Sequence, residues 1–151
     1  MIESKIASDA ELPAIKKDAA KKLADLRSVD AESLPWEETR FPGYYVKPLG
    51  FRKGESFVAM GRMEPGGRNF PHAHGFHQVR YVLEGEFIIN GKVYGPGSLI
   101  DYPEFSRCET LSPKGGTWLQ VQFWNPRTGD GPTDFHGHSY GTEKDAEMEI
   151  K

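Results

Sequence analysis

The sequence predicts an all-β fold, a β-sandwich or barrel of short strands with one α-helix in front of it. The 17 glycines and 11 prolines in 151 residues give frequent turns, which is typical of a chain of short strands. Asn90-Gly91, placed between two apolar runs, is the strongest hairpin signal. Polar and apolar residues alternate from Thr117 to Trp124, as they do in a half-buried strand.

Length, charge and cysteine content limit the class of protein. A chain of 151 residues fits one domain with a sizeable core. The net charge of -3 gives no electrostatic case for binding nucleic acid or an anionic membrane. No apolar run approaches the roughly 18 to 20 residues that span a bilayer, and the N-terminal residues are too charged for a signal peptide. A single cysteine suits a reducing compartment, so we expect a cytoplasmic protein.

The first predicted element is a helix over Asp9–Arg27. Its apolar residues recur every three or four positions and form one stripe, made of Leu12, Ile15, Ala19, Leu23 and Leu26. We therefore predict three parts: a helix and arm over 1–32, a β-barrel over 33–126, and a loop and tail over 127–151.

An arm rich in proline and aromatic residues leads into the barrel. It contains a short strand over Tyr44–Lys47, and Pro48 marks this strand as an edge because proline cannot donate to a ladder. Turn residues then separate the remaining predicted strands, which are Glu55–Met63, His72–Leu83, Glu86–Asn90, Lys92–Tyr94, Ser98–Tyr102 and Thr117–Trp124.

His72 and His74 are the first candidate site residues. They stand two residues apart in a segment predicted to be extended, so their imidazoles point to one face and can meet one metal ion. Gln78 and Arg80 stand an even number of residues from His72 and His74 and are predicted to point to the same face. His77 stands an odd number away and is predicted to point outward. The amide oxygen of Gln78 is a neutral and weaker donor than a carboxylate would be.

Arg80 leaves two alternatives open. Arginine is rarely buried unpaired, so this guanidinium needs either a protein carboxylate or an anionic ligand. Candidate carboxylates are Asp101, Glu104 and Glu64. On the last predicted strand Gln120 and Gln122 share one face, and parity does not say whether that face is inside.

The segment from Gly50 to about Trp124 resembles the cupin family. The first cupin motif has a glycine, a His-x-His pair, a glutamate and a second glycine. Gly66, His72, His74 and Gly85 occupy these positions, but Gln78 stands where the family has glutamate.

The second cupin motif matches only in part. Gly97 and Pro103 fall at the expected spacing, but Phe105 replaces the second glycine and Cys108 replaces the histidine. As a thiolate, Cys108 would bind zinc or iron and restore the missing negative charge; as a thiol, it is a small buried filler. We favour the thiol, since a thiolate beside an oxygen-activating iron is itself open to oxidation.

The resemblance implies a cupin-type double-stranded β-helix, or jelly roll, with a mononuclear divalent metal site, iron or zinc. It also implies a dioxygenase-like activity on a small diketone or hydroxyketone, and we expect a homodimer. We do not assign catalytic residues. The candidate metal ligands are His72, His74, Gln78 and Cys108, and the candidate substrate-binding residues are Arg80, Gln120 and Gln122.

Three further possibilities stay open. A non-catalytic binding or sensor module would hold a small anion by Arg80 without turnover, and a structural remnant would have an apolar, metal-free interior. His136 and His138 lie in the predicted C-terminal loop and would complete the site if that loop closes over the barrel.

Overall fold

Two antiparallel β-sheets packed face to face form the body of the protein. The computed structural model describes residues 26–132. The predicted N-terminal helix lies almost wholly outside the described residues, and so do His136 and His138. Within the described part of the chain, no helix has the length and apolar character needed to cross a membrane.

A short 3-10 helix over Ala31–Ser33 precedes the strands. The strand bounds are β1 Glu37–Glu38, β2 Tyr44–Arg52, β3 Ser56–Met63, β4 Gly67–Ala73, β5 Gln78–Gly85, β6 Phe87–Ile89, β7 Lys92–Tyr94, β8 Leu99–Tyr102, β9 Arg107–Ser112 and β10 Gly116–Phe123. One sheet has the order β1-β2-β3-β10-β5-β8 and the other β4-β9-β6-β7. This arrangement confirms the predicted jelly roll.

The β6–β7 hairpin forms where the sequence predicts it. Asn90 and Gly91 have φ values of 50° and 81°, the positive values that a type I′ turn requires at both central residues. The Asn90 side chain donates to the carbonyl of Arg107 and accepts from the amide of Glu109, at 2.8 and 2.9 Å. Asn90 therefore also links β9 to the hairpin through these two hydrogen bonds.

The predicted single strand over His72–Leu83 is wrong. β4 ends at Ala73 and β5 begins at Gln78, because the chain turns at Gly75 and passes from one sheet to the other. The side-chain amide of Asn125 donates to the carbonyl of Gly75 at 2.9 Å and holds this turn. His72 and Gln78 therefore lie on opposite sheets.

Two strands were absent from the predicted set. β1 is only two residues long, too short to show a periodic pattern. β9 reads Arg-Cys-Glu-Thr-Leu-Ser and buries its second, fourth and sixth residues, Cys108, Thr110 and Ser112. Its inward residues are small and mostly polar, so the alternation of apolar and polar residues that marks a strand is missing.

The interior is built in cross-strand rows. On the larger sheet Gln120 lies between Ala59 and Arg80, and Gln122 lies between Phe57 and Gln78. In the next row Trp118 lies opposite Gly61. A Cβ added at Gly61 would overlap the indole ring of Trp118, so the row accommodates a large ring only because its neighbour has no side chain.

We predict that Gly61→Ala lowers the free energy of unfolding by about 1–3 kcal/mol, because the added methyl group overpacks the core against Trp118. Urea denaturation of purified protein measures the change. Gly50→Ala is the matched control, since a Cβ at that exposed position of β2 meets nothing within 4 Å. Equal unfolding free energies for the two variants would contradict the prediction.

Candidate ligand site inside the barrel

The candidate site lies between the inner faces of the two sheets. On the smaller sheet, His72 of β4 pairs with Cys108 of β9. On the larger sheet, β5 contributes Gln78 and Arg80, and all four side chains are buried. The residues of the two cupin motifs are therefore brought together.

Arg80 is the principal charged group of the interior. It is only 4% exposed, and its guanidinium carbon lies 4.6 Å from the ring centroid of Trp118 and 5.3 Å from that of Tyr102. Its Nε and Nη1 atoms have no hydrogen-bond acceptor among the described residues, and none of the ion pairs found there includes it. The guanidinium is held by aromatic faces rather than by a carboxylate.

The carboxylates considered from the sequence do not pair with Arg80. Asp101 instead accepts a hydrogen bond from Nε2 of His77 at 2.6 Å on the outer face of the larger sheet. The ring of His77 stacks on Phe123 at a centroid distance of 5.3 Å. The predicted outward orientation of His77 is thus confirmed.

Three other polar atoms on the inner faces lack partners. They are Thr110 Oγ1, Gln78 Nε2 and Gln122 Oε1, all buried and without a hydrogen bond among the described residues. The Tyr102 hydroxyl lies close to the Arg80 guanidinium and interacts with it electrostatically. Arg80 and Thr110 line a small cavity of about 10 Å³, closed on its other sides by apolar residues. This volume is enough for about one water molecule.

The inner glutamines are partly paired with their neighbours. Gln122 Nε2 donates to Gln78 Oε1 at 2.9 Å, and Trp118 Nε1 donates to Gln120 Oε1 at 2.8 Å. The carbonyl oxygen of Gln78, the atom that would bind a metal, is therefore already engaged. Gln120 and Gln122 face inward, an orientation that residue parity alone did not determine.

His72 is neutral and oriented. Its Nδ1–H donates to the carbonyl of Phe70 at 2.6 Å. Burial lowers the pKa of His72 to about 4, although the hydrogen bond to Phe70 acts in the opposite direction. The positive charges of Arg80 and Arg40 also lower this pKa. The Nε2 lone pair is left facing Cys108, whose Sγ lies 3.9 Å away.

Cys108 stands in the register that the second motif implies, opposite His72. Burial raises the pKa of its thiol, and Arg80 offsets only part of that rise. The residue is therefore a protonated thiol beside a neutral imidazole, not the thiolate–imidazolium pair of a nucleophilic cysteine.

His74 lies just beyond the end of β4. Its ring is 4.7 Å from that of His72 at an interplanar angle of 74°, and it stacks on Phe76 at 4.8 Å. No group of three or more His, Cys, Asp or Glu side chains among the described residues is arranged to hold a metal ion. The donors present therefore do not fit the complete metal centre that the resemblance implies, although the two imidazoles are close together.

Tyr102 and Thr110 were missed by the sequence reasoning. Tyr102 could have been found, because it is the last residue of a predicted strand and shares parity with Ile100, an apolar residue. Thr110 could not, because the strand that carries it has no apolar alternation.

Comparisons with known proteins agree on the fold. No family model and no curated protein matches the chain. Among solved structures it is similar to an RmlC-like cupin from Shewanella frigidimarina, at 26% identity over 68% of this chain and 94% of that one, with a TM-score of 0.61. It is also similar to the polyketide cyclase RemF from Streptomyces resistomycificus, at 18% identity over 66% and 80%, with a TM-score of 0.60. A chain of the Rhodobacter sphaeroides SigE complex with the anti-sigma ChrR matches at 17% identity over 80% and 70%, with a TM-score of 0.53.

We predict that His72 makes stability fall as the pH is lowered from 6.5 to 4. Its pKa is about 4 in the folded chain and 6.5 for an unperturbed histidine, so between these values the unfolded chain binds the proton and the folded chain does not. The contribution is fully present above pH 6.5 and is lost towards pH 4, with a slope of at most about 1.4 kcal/mol per pH unit.

The variant His72→Gln should have a shallower pH dependence than the wild type. Urea denaturation of both proteins in EDTA, at half-unit pH steps, measures the difference. Identical slopes in the two proteins would contradict the prediction.

Proposed function

Since the chain is a cupin by fold, we propose that its barrel is a binding site for a small carboxylate or enolate anion held by Arg80. The single observation that carries this proposal is the buried guanidinium with two N–H groups that lack acceptors. A buried charge without a partner is costly. A bound anion removes that cost, and because the cavity beside Arg80 is only about 10 Å³, the side chains around it have to move to admit one.

The charge of the guanidinium narrows the ligand class. Its N–H groups make charge-assisted hydrogen bonds to anionic oxygens such as those of a carboxylate. An enolate presents an anionic oxygen to the same donors. A neutral ligand or a water molecule can accept hydrogen bonds there but cannot neutralise the charge.

The neighbouring atoms favour a ligand rich in acceptors. Gln78 Nε2 is a donor, the hydroxyls of Tyr102 and Thr110 can donate, and Gln122 Oε1 is an acceptor. Burial raises the pKa of Tyr102 to about 12 although Arg80 acts in the opposite direction, so the phenol keeps its proton near neutral pH. An oxyacid with one further hydroxyl or carbonyl oxygen fits this set.

Gln78 supports the same conclusion. It stands two residues from Arg80 on β5, and both side chains are buried on the same face. A glutamate here, as in the cupin motif, would place a carboxylate beside the guanidinium. The amide leaves the positive charge available to a ligand.

We predict that Arg80→Met weakens the binding of pyruvate by about 10- to 150-fold, the equivalent of roughly 1.5–3 kcal/mol for a hydrogen bond to a charged group. The variant should also unfold at a higher temperature without ligand, because an apolar side chain replaces a buried unpaired charge. Calorimetric titration and thermal unfolding measure the two effects.

Arg68→Met is the matched control, since Arg68 is exposed on β4 and stacks over Phe70 outside the barrel. It should leave pyruvate affinity unchanged. Equal pyruvate affinities for the wild type and Arg80→Met, or no pyruvate binding by the wild type, would overturn the proposal.

A second candidate is a metal-dependent, dioxygenase-like enzyme acting on a small diketone or hydroxyketone. The observation that favours it is the orientation of His72, whose Nδ1–H is fixed by a backbone carbonyl, as in many metal-bound histidines, while Nε2 faces the Cys108 thiol. With only two imidazoles and a protonated thiol, the site would hold iron or zinc weakly.

For this candidate we expect iron or zinc in protein purified without a polyhistidine tag, and its loss from His72→Ala/His74→Ala. Cys108→Ser should keep the metal, because the buried thiol stays protonated. His77→Ala, on the outer face, is the control. Elemental analysis of the four proteins is the measurement, and equal metal content in the wild type and the double variant would sink this candidate.

A further inference from the structure

The outer face of the larger sheet carries two apolar rows. In the first row, Leu119 of β10 lies between Met60 of β3 and Tyr81 of β5, and Tyr81 pairs with Leu99 of β8. Tyr81 is 44% exposed and Leu99 is 63% exposed. The second row consists of Val58, Val121 and Val79. Contiguous apolar surface across several strands is typical of a face that another element covers.

The arm that precedes the strands already packs on this face. Lys47 of β2 pairs with Met60, so it lies on the outer face, yet it is only 5% exposed. Its Nζ donates to the carbonyl of Ala31 at 2.7 Å and lies 4.7 Å from the ring centroid of Trp36. The chain before β1 therefore runs along the outer side of the larger sheet.

The arm leads to an apolar groove beside the two rows. Residues 26–29 form one side of a groove of about 710 Å³, and Leu49, Phe51 and Val58 are among the residues on its other side. Val58 also belongs to the second apolar row, so the groove and the row are continuous. The side chain of Leu26 is fully exposed. The described chain therefore begins with an unburied apolar side chain at the edge of an apolar face.

The residues before this point supply an apolar surface of sufficient length. Leu26 is the last member of the stripe predicted from the sequence, and Lys17 and Lys21 lie on the opposite side of the predicted helix. A helix over 9–27 is about 28 Å long, and the distance from β3 to β8 across the sheet is about 14 Å. The segment is therefore long enough to reach β8 from the groove.

We propose that segment 9–27 packs its apolar stripe on the outer face of the larger sheet in the same molecule, over Met60, Leu119 and Tyr81. The contact buries apolar side chains of both partners and leaves the lysines in water. Because the segment is joined to an arm that already lies on this face, its effective concentration there is on the order of millimolar. This tether favours the segment over a second copy of the chain. The contact is on the opposite side of the sheet from Arg80 and does not depend on the anion site.

The test measures how fast a thiol placed on this face reacts with a maleimide. Cys108 is the only native cysteine and is 1% exposed, so the wild type is the blank. Tyr81→Cys should react slowly. Adding Ile15→Gln/Leu23→Gln should speed its labelling by at least about tenfold, because the loss of two apolar anchors weakens the docking. Leu99→Cys repeats the measurement on β8.

Two matched controls isolate the effect of the stripe. Lys17→Gln/Lys21→Gln places the same two side chains on the opposite side of the segment and should leave the labelling rate of Tyr81→Cys unchanged. Val93→Cys is on the smaller sheet, at a position that is 55% exposed, and should label rapidly in every background.

Three results would overturn the inference. The first is an equal labelling rate of Tyr81→Cys with and without Ile15→Gln/Leu23→Gln. The second is labelling of Tyr81→Cys and Leu99→Cys as fast as Val93→Cys with an unchanged segment, a comparison that does not depend on how the segment variants fold. The third is protection that disappears on dilution together with a fall in molar mass by light scattering, which would assign the face to a second copy.

Discussion

A positive charge enclosed by aromatic faces is the constraint around which the interior is arranged. Arg80 lies against the rings of Trp118 and Tyr102, and the groups nearest to it are neutral: a glutamine where the cupin motif has glutamate, a thiol where it has histidine, and an imidazole whose pKa is about 4. A glutamate at position 78 or a thiolate at Cys108 would instead pair with the guanidinium. Among the described residues the charge therefore has no ionic partner, which is unusual for a buried arginine and is the main reason to regard the barrel as a binding site.

The middle of the larger sheet carries polar side chains on its inner face. Gln78, Arg80, Gln120 and Gln122 are all buried there, next to apolar neighbours such as Phe57 and Ala59. A sheet that served only to close a hydrophobic core would have apolar residues at these positions too. Polar groups inside are tolerated only where they are hydrogen-bonded or meet a ligand, and here several atoms are not bonded within the described chain.

Much of the fold could be predicted because turn chemistry and alternation are local. The Asn90-Gly91 hairpin, the strand over Leu99–Tyr102 and the last strand follow from neighbouring residues alone. The proximity of His72 and Cys108 followed from the motif register. What failed was the inference that His72 and Gln78 share one strand, because parity says nothing about a chain that changes sheet at Gly75. Arg80 has no carboxylate partner in the described part of the chain because Asp101 faces outward, and that orientation is decided by tertiary packing with His77 and Phe123.

The contact between Trp118 and Arg80 also gives the protein an optical property. The indole of Trp118 is fully buried and lies 4.6 Å from a cationic centre, so its excited state experiences a strong local electric field. An anion that neutralises this cation changes the field at a chromophore that water does not reach. Binding of the proposed anion would therefore change the emission spectrum of the native chain, and no attached dye would be needed to follow it.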